Sequence, residues 1–213
     1  LIKIILLKLV QDYIYIIVIS YIIGSIPNGL IVGKLKGVDI RQFGSKNIGA
    51  TNAFRVLGPW PAFWVFITDA AKGVAGVYIG QLLLGNPPAQ LLGGLAAMAG
   101  HNWSIFLGFK GGRGVATGLG VIAFLVPTIT GIVFIVWAVI VFITRYVSLG
   151  SIIAASLVPI LMWFFDERLE IFCFGVVAAL FVIIRHKSNI ERLIKGQEFK
   201  IKAGNVTKNS HKE

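Results

Sequence analysis

Long unbroken apolar stretches dominate the chain. They run from Tyr13 to Gly33, Pro61 to Leu84, Ala89 to Phe109, Val115 to Thr144, Leu149 to Phe165 and Ile171 to Ile184. A helix needs about 20 apolar residues to cross a bilayer, and stretches of that order recur here. The pattern predicts an all-α fold, a polytopic membrane helix bundle. No small-x-small cleavage pattern closes the apolar run within Leu1 to Ile23, so this segment reads as leading into a retained first span and not as a removed signal peptide. The stretch Val115 to Thr144 is too long for one crossing. Its 30 residues would make a helix of about 45 Å against a hydrocarbon core of about 30 Å. Pro127 lies inside it and favours a break.

Lysine and arginine accumulate in cytoplasmic loops of membrane proteins, which gives a parity test for the number of crossings. Lys34 to Arg55 holds five basic residues and one acid, Asp39; Arg185 to Glu213 holds eight basic and three acidic residues. Both are expected inside. From an outside N-terminus, the first stretch ends inside at Lys34 to Arg55. The second ends outside at the uncharged Gly85 to Pro88, and the third ends inside at Lys110 and Arg113. A single passage of the fourth stretch would leave the basic tail outside. Two passages, turning near Pro127 and Thr128, put Arg145 inside, the acidic turn at Asp166, Glu167 and Glu170 outside, and the tail inside. The expectation is seven transmembrane helices, the fourth of them short, with the N-terminus outside and the C-terminus cytoplasmic. Residues 1–200 then form one transmembrane domain and residues 201–213 a basic C-terminal tail. Sixteen of the 20 basic residues face the cytoplasm on this count. Segments 34–55, 109–118, 145–151 and 185–198 emerge on one face, where they can converge on one site.

Composition agrees and removes some alternatives. The 213 residues are 56% hydrophobic and only 14% charged, yet the formal net charge is +11. A soluble chain carries about 25% charged residues, so the basic excess is read as topology, and no nucleic-acid partner is expected. Cys173 is the single cysteine and lies in an apolar run, which excludes an internal disulfide or a cysteine-based metal cluster.

Two loops carry the candidate chemistry. Gly111-Gly112-Arg113-Gly114 directly precedes an apolar run. Glycines allow successive backbone N–H groups to turn toward an anion at a helix N-terminus, and Lys110 and Arg113 add positive charge. Phosphate is the expected ligand, although glycines can also serve close helix packing while the cations anchor to lipid head groups. The Gly-x-x-x-x-Gly-Lys-Ser/Thr pattern of a nucleotide-hydrolysing loop is absent. The second segment, Gly44 to Arg55, is rich in Ser, Asn and Thr, and its Arg55 can grip phosphate with a planar fork. Turn chemistry alone also accounts for its short polar side chains.

Three motifs, in order along the chain, carry a resemblance. They are Gly44-Ser45-Lys46-Asn47-Ile48-Gly49-Ala50-Thr51-Asn52; Gly100-His101-Asn102 with Phe109-Lys110-Gly111-Gly112-Arg113-Gly114-Val115-Ala116-Thr117; and Arg185-His186-Lys187-Ser188-Asn189-Ile190 with Gly196-Gln197-Glu198. In these the chain resembles the bacterial acyl-phosphate:glycerol-3-phosphate acyltransferase family, over nearly its whole length. The resemblance implies a seven-span inner-membrane enzyme with its active site facing the cytoplasm. It would move a fatty acyl group from membrane-dissolved acyl phosphate to glycerol 3-phosphate, giving lysophosphatidic acid and orthophosphate in phospholipid biosynthesis, with no cofactor and no metal. It further implies that Ser45, Arg55 and Arg113, with the loop Lys110, Gly111, Gly112 and Gly114, hold phosphate, and that Ser151, His186, Asn189 and Glu198 complete the pocket. The chain departs from the family pattern at two positions: Lys46 stands where the first motif often has glycine, and Arg113 where the loop often has lysine.

Read from the residues alone, several of these have a plainer role open to them. Ser151 lies near a helix start and suits a cap or a packing contact. His186 suits a head-group anchor, and Glu198 an ion pair with a nearby lysine in the tail. Asp69 and Lys72 sit three apart on one helix face inside an apolar run, where charges must be paired or solvated; they are expected either as a structural pair or as part of the pocket. His101, before Asn102 and Trp103, is expected either at the membrane interface, with the indole at head-group depth, or as a group lining the site. The proton acceptor of the reaction is left between the substrate phosphate and His186. A transporter for a small phosphorylated solute is the rival reading, since an intramembrane Asp/Lys pair and glycine-interrupted helices suit that class too.

Overall fold

The structure, a computed structural model, describes residues 1–201. Ten α-helices and no strands occur among them. They are α1 (Ile2–Ser25), α2 (Asn28–Leu35), α3 (Ala50–Leu57), α4 (Pro59–Leu83), α5 (Pro87–Asn102), α6 (Val115–Leu125), α7 (Pro127–Thr144), α8 (Val147–Phe164), α9 (Leu169–Arg185) and α10 (Lys187–Ile194). The expected basic tail, apart from Ile201, lies outside the described residues.

Four segments are each long and apolar enough to cross a bilayer: Ile2–Leu35 (α1 with α2), Pro59–Leu83, Pro127–Thr144 and Val147–Phe164. Taken as one span bent by 60°, α9 with α10 makes a fifth. The long fourth stretch is broken, as its proline predicts. Helix α6 ends at Leu125 and α7 starts at Pro127, with the proline in the first helical turn, where a missing N–H leaves no bond unmade. Helix α1 starts at Ile2, well ahead of the apolar run read from Tyr13.

The bundle is inside-out relative to a soluble protein. Phe142 and Trp163 are 80% and 72% exposed, while Asp69, Lys72, His101 and Glu198 are all buried. In lipid the outer apolar surface has no reason to hide, so close packing must hold the helices together. Helix α4 is the central element, in contact with α1, α5 and α6, while α7, α8 and α9 form a second row joined through α6 and α5. At the crossing of α4 with α5, Gly76 faces Gly93 so closely that neither has room for a Cβ. The crossing of α4 with α6 repeats this with Gly73 against Thr117 and Gly120 against Ala70. The two rows diverge between α4 and α7, which share no extended contact, and a cavity opens there.

Candidate active site

The cavity has a volume of about 430 Å³. One end is polar, lined by Ser45, Arg55, Arg113, His186 and Glu198. The remainder is lined mainly by apolar side chains of α4 and of α6, α7, α8 and α9.

The first polar wall is the loop before α3, and a single amide organises it. Asn52 is fully buried. Its Nδ2 donates to the carbonyls of Ile40 (2.9 Å) and Asn47 (2.8 Å), and its Oδ1 accepts from the Ser45 backbone N–H at 2.9 Å. Gly44 sits so close to this Oδ1 that a Cβ would collide with it, and Asn47 Oδ1 accepts from the Gly49 N–H at 2.9 Å. The chain turns with positive φ at Gly44 (60°) and at Lys46 (58°). Positive φ is a glycine conformation, and Lys46 adopts it with a full side chain. Ser45 is thereby set on the cavity wall, while Lys46 is exposed and off it.

The second wall is the glycine loop. Gly111 and Gly112 do not turn their N–H groups toward the cavity as expected. They donate to the carbonyls of Asn102 (3.1 Å) and His101 (2.9 Å), because the loop folds back on the end of α5 with no room for a Cβ at either glycine. Their own carbonyls are held from behind by Arg185, whose Nη2 and Nε donate to Gly111 and Gly112, both at 2.9 Å. Lys110 is exposed and off the cavity. The groups that do reach it are Arg113, Gly114 and the N-terminus of α6. Gly114, at φ 77°, caps that helix, and the first N–H groups of a helix lack intrahelical acceptors and favour an anion.

Arg113 makes no hydrogen bond or ion pair to the protein among the described residues. Burial pushes its guanidinium down to about 10, with Glu198 opposing the shift, so it remains cationic at neutral pH. Burial lowers Arg55 as well, again opposed by Glu198. Arg55 Nη2 donates to the carbonyl of Phe199 at 3.0 Å.

The third wall is the segment after α9. His186 Nδ1 lies 2.7 Å from the carbonyl of Val182. A carbonyl can only accept, so Nδ1 carries the proton, and in the neutral ring Nε2 is an acceptor. Glu198 is not a free carboxylate. Its Oε1 accepts from Ser148 Oγ (3.0 Å) and Asn189 Nδ2 (2.7 Å), and its Oε2 from Arg192 Nε (2.8 Å). It fastens residues 197–201 across α8 and α10, aided by the Ile201 N–H donating to the Arg145 carbonyl at 2.8 Å. The ion pair foreseen within the tail is real, but its partner is Arg192. Asn189 does not line the cavity and acts only through Glu198. Ser151 lines the cavity, but its hydroxyl donates to the Val147 carbonyl at 2.9 Å and accepts from Trp137 Nε1 at 3.3 Å.

Asp69 and Lys72 are a buried pair at 2.9 Å and also border the cavity through Asp69. Lys72 Nζ donates to the Ile26 carbonyl at 2.8 Å and Asn28 Nδ2 to Asp69 Oδ1 at 3.1 Å, so the pair ties α4 to the α1–α2 break. His101, on the cavity wall beside Asp69, backs directly onto Gly112. Sequence reading placed Asn52 in the first motif and Arg185 at the head of the third, and gave neither a role. A cation closing the last apolar run was the further signal for Arg185.

The family model described as glycerol-3-phosphate acyltransferase matches residues 14–196. A glycerol-3-phosphate acyltransferase of Fusobacterium nucleatum is 48% identical over 87% of this chain and 96% of its own length. Glycerol-3-phosphate acyltransferase 2 of Moorella thermoacetica is 46% identical over 87% of this chain and 95% of its own. Two crystal structures of PlsY (YgiH), an integral membrane glycerol 3-phosphate acyltransferase, are similar in fold. The glycerol 3-phosphate form aligns with a TM-score of 0.85 at 37% identity over 89% of this chain and 96% of that one. The lysophosphatidic acid form gives 0.83 at 36% identity over 88% and 94%.

Proposed function

The chain belongs to the glycerol-3-phosphate acyltransferase family, and from that premise we propose that it transfers a fatty acyl group from acyl phosphate to glycerol 3-phosphate, giving lysophosphatidic acid and orthophosphate. The observation that carries this reading is the polarity of the cavity: two guanidiniums, Arg55 and Arg113, at one end and apolar walls beyond. An acyl phosphate has the same polarity. Glycerol 3-phosphate is a small dianion that needs the same cations.

In the proposed reaction Arg55, Arg113 and the N-terminus of α6 hold the two phosphates together and offset their repulsion, with Ser45 beside them. The glycerol hydroxyl oxygen bonds to the acyl carbon, the bond from that carbon to the phosphate oxygen breaks, and the electron pair leaves with orthophosphate. The hydroxyl proton passes to a phosphate oxygen of the substrates or to His186 Nε2. Glu198 is committed to three donors and serves as an anchor of this wall, not as the base. No acyl-enzyme is formed: Cys173 is exposed and off the cavity, Ser151 is engaged, and the donor is already activated.

The enzyme spans the bacterial inner membrane seven times, with the N-terminus outside and the polar end of the cavity in the cytoplasm. In support, the described residues contain seven helices of 11 residues or more, α1 and α4 to α9. Cysteines at Pro88 and Lys195, in a Cys173→Ser background, are expected to label from opposite faces of sealed vesicles; labelling from one face refutes this topology. The reaction is tested with purified protein, glycerol 3-phosphate and either acyl phosphate or an acyl thioester. Lysophosphatidic acid is expected from the phosphate alone, and turnover only with the thioester would displace the proposed donor.

A further inference from the structure

The deep end of the cavity has a floor. Helix α8 lines it with Ser148, Ser151, Ala154, Ala155 and Val158, spaced so that one helix face looks into the space. Val158 is the deepest of these, and on α7 the deepest is Val133. The next side chains along, Ile129, Met162 and Phe174, are buried in one cluster with Val133 and Val158 and do not border the cavity. Met162 packs against Gly175, its sulfur so close that a Cβ there would force it to shift. The floor is therefore backed by buried, close-packed side chains.

The depth is set by the helix rise. Ser148, bonded to Glu198 at the polar end, lies ten residues before Val158, which is about 15 Å of helix. That is half of a hydrocarbon core of about 30 Å, the depth occupied by one leaflet's acyl chains. Between these levels the alanines Ala154 and Ala155 on α8 and Ala178 and Ala179 on α9 keep the passage open.

We propose that Val158 and Val133 form the stop for the methyl end of the acyl chain, so that these two side chains, with Ala154 and Ala155 above them, set the chain length the enzyme accepts. This rests on the reading that the cavity holds the acyl chain during transfer. The competing route is sideways: Phe63 on α4 and Phe134 on α7 both line the cavity and are 47% and 45% exposed, so a chain that turned out between them would meet the bilayer and escape any ruler.

The test is kcat/KM for a series of saturated acyl phosphates of increasing length with glycerol 3-phosphate. Val158→Ala deepens the floor and is expected to move the optimum one two-carbon step longer. Ala155→Leu obstructs the passage and is expected to lose at least about tenfold on the longest donors, the effect of a misfitted methylene in an apolar pocket, while the shortest donors keep their parent values. A donor with a photoreactive group on its terminal carbon, used on the parent protein, removes dependence on how the variants fold; label is expected on the peptides holding Val133 or Val158. Unchanged length profiles in both active variants, or label on Phe63, Phe134 or lipid, overturn the ruler. A parent protein that makes no lysophosphatidic acid from any donor overturns instead the reading on which it rests.

Discussion

Two loops build the polar end of the cavity by opposite means. The loop before α3 is organised from within its own sequence by the neutral Asn52 amide, which reaches back only 5 to 12 residues. The glycine loop is held by a charged fork from elsewhere, as Arg185 reaches it across more than 70 residues. The cations beside the two loops, Arg55 on α3 and Arg113 in the glycine loop, also differ. Arg55 is partly engaged with the Phe199 carbonyl and lies 5.7 Å from that ring's centre, while Arg113 makes no hydrogen bond to the protein among the described residues. A half-engaged cation can help to hold the fold and the substrate together. An unengaged, partly buried one is held ready for an anion that arrives later.

The largest effect therefore belongs to Arg113. Arg113→Ala is expected to lower kcat/KM by about 10²–10³-fold, the scale of losing one preorganised donor to developing charge. Arg113→Lys keeps part of the activity because the charge remains while the fork is lost. Arg55→Ala should fall short of Arg113→Ala in kinetics but lower thermal stability more, since it also releases Phe199. The reverse order in either measurement would break the contrast between the two cations.

The organisers differ next. Asn52→Ala leaves the Ile40 and Asn47 carbonyls without their buried donor and should destabilise by about 1–3 kcal/mol. Asn52→Asp should do no better, because a carboxylate cannot donate to carbonyls. Both are read from thermal unfolding in detergent. Arg185→Lys keeps the charge and one donor, so it is expected to lower the melting temperature less than Asn52→Ala does and to raise KM for glycerol 3-phosphate severalfold, as the loop that carries Arg113 loses part of its charge-assisted hold. Equal loss of stability from both substitutions would mean that the glycine loop is as much a folding element as the loop before α3.

The same contrast explains what could be read in advance. The helical class, the break at Pro127 and the convergence of three motifs on one site follow from local pattern, because apolar length and loop charge act on each stretch separately. Ser45, Arg55, Arg113, His186 and Glu198 do come together on the cavity. What the pattern misses is relayed through space. Glycine spacing suggests an N–H cradle at Gly111 and Gly112, but their N–H groups are taken by α5 carbonyls. Glu198 does reach the cavity wall, yet its three donors come from positions up to 50 residues away, and these make it an anchor of that wall. No spacing rule in one sequence shows that Arg185 faces inward toward a loop.

Lys46 gives the smallest expected effect and the sharpest check on the self-organised loop. Its φ of 58° strains a non-glycine residue by about 1–2 kcal/mol, while glycine there would lose about 0.5–1 kcal/mol more than another residue in chain entropy on folding. The two nearly cancel, so Lys46→Gly should change stability by no more than about 1 kcal/mol. Activity should stay close to the parent's, since Lys46 is exposed and does not line the cavity. Lys46→Val removes the same charge but places a β-branched side chain at positive φ, and it should lower both melting temperature and activity by disturbing the neighbouring Ser45. If conformation is what matters, the glycine variant stands apart from the valine variant. If both variants lost activity equally while both melted like the parent, the ammonium itself would be acting on the substrate, and the loop before α3 would contribute a second cation from its tip.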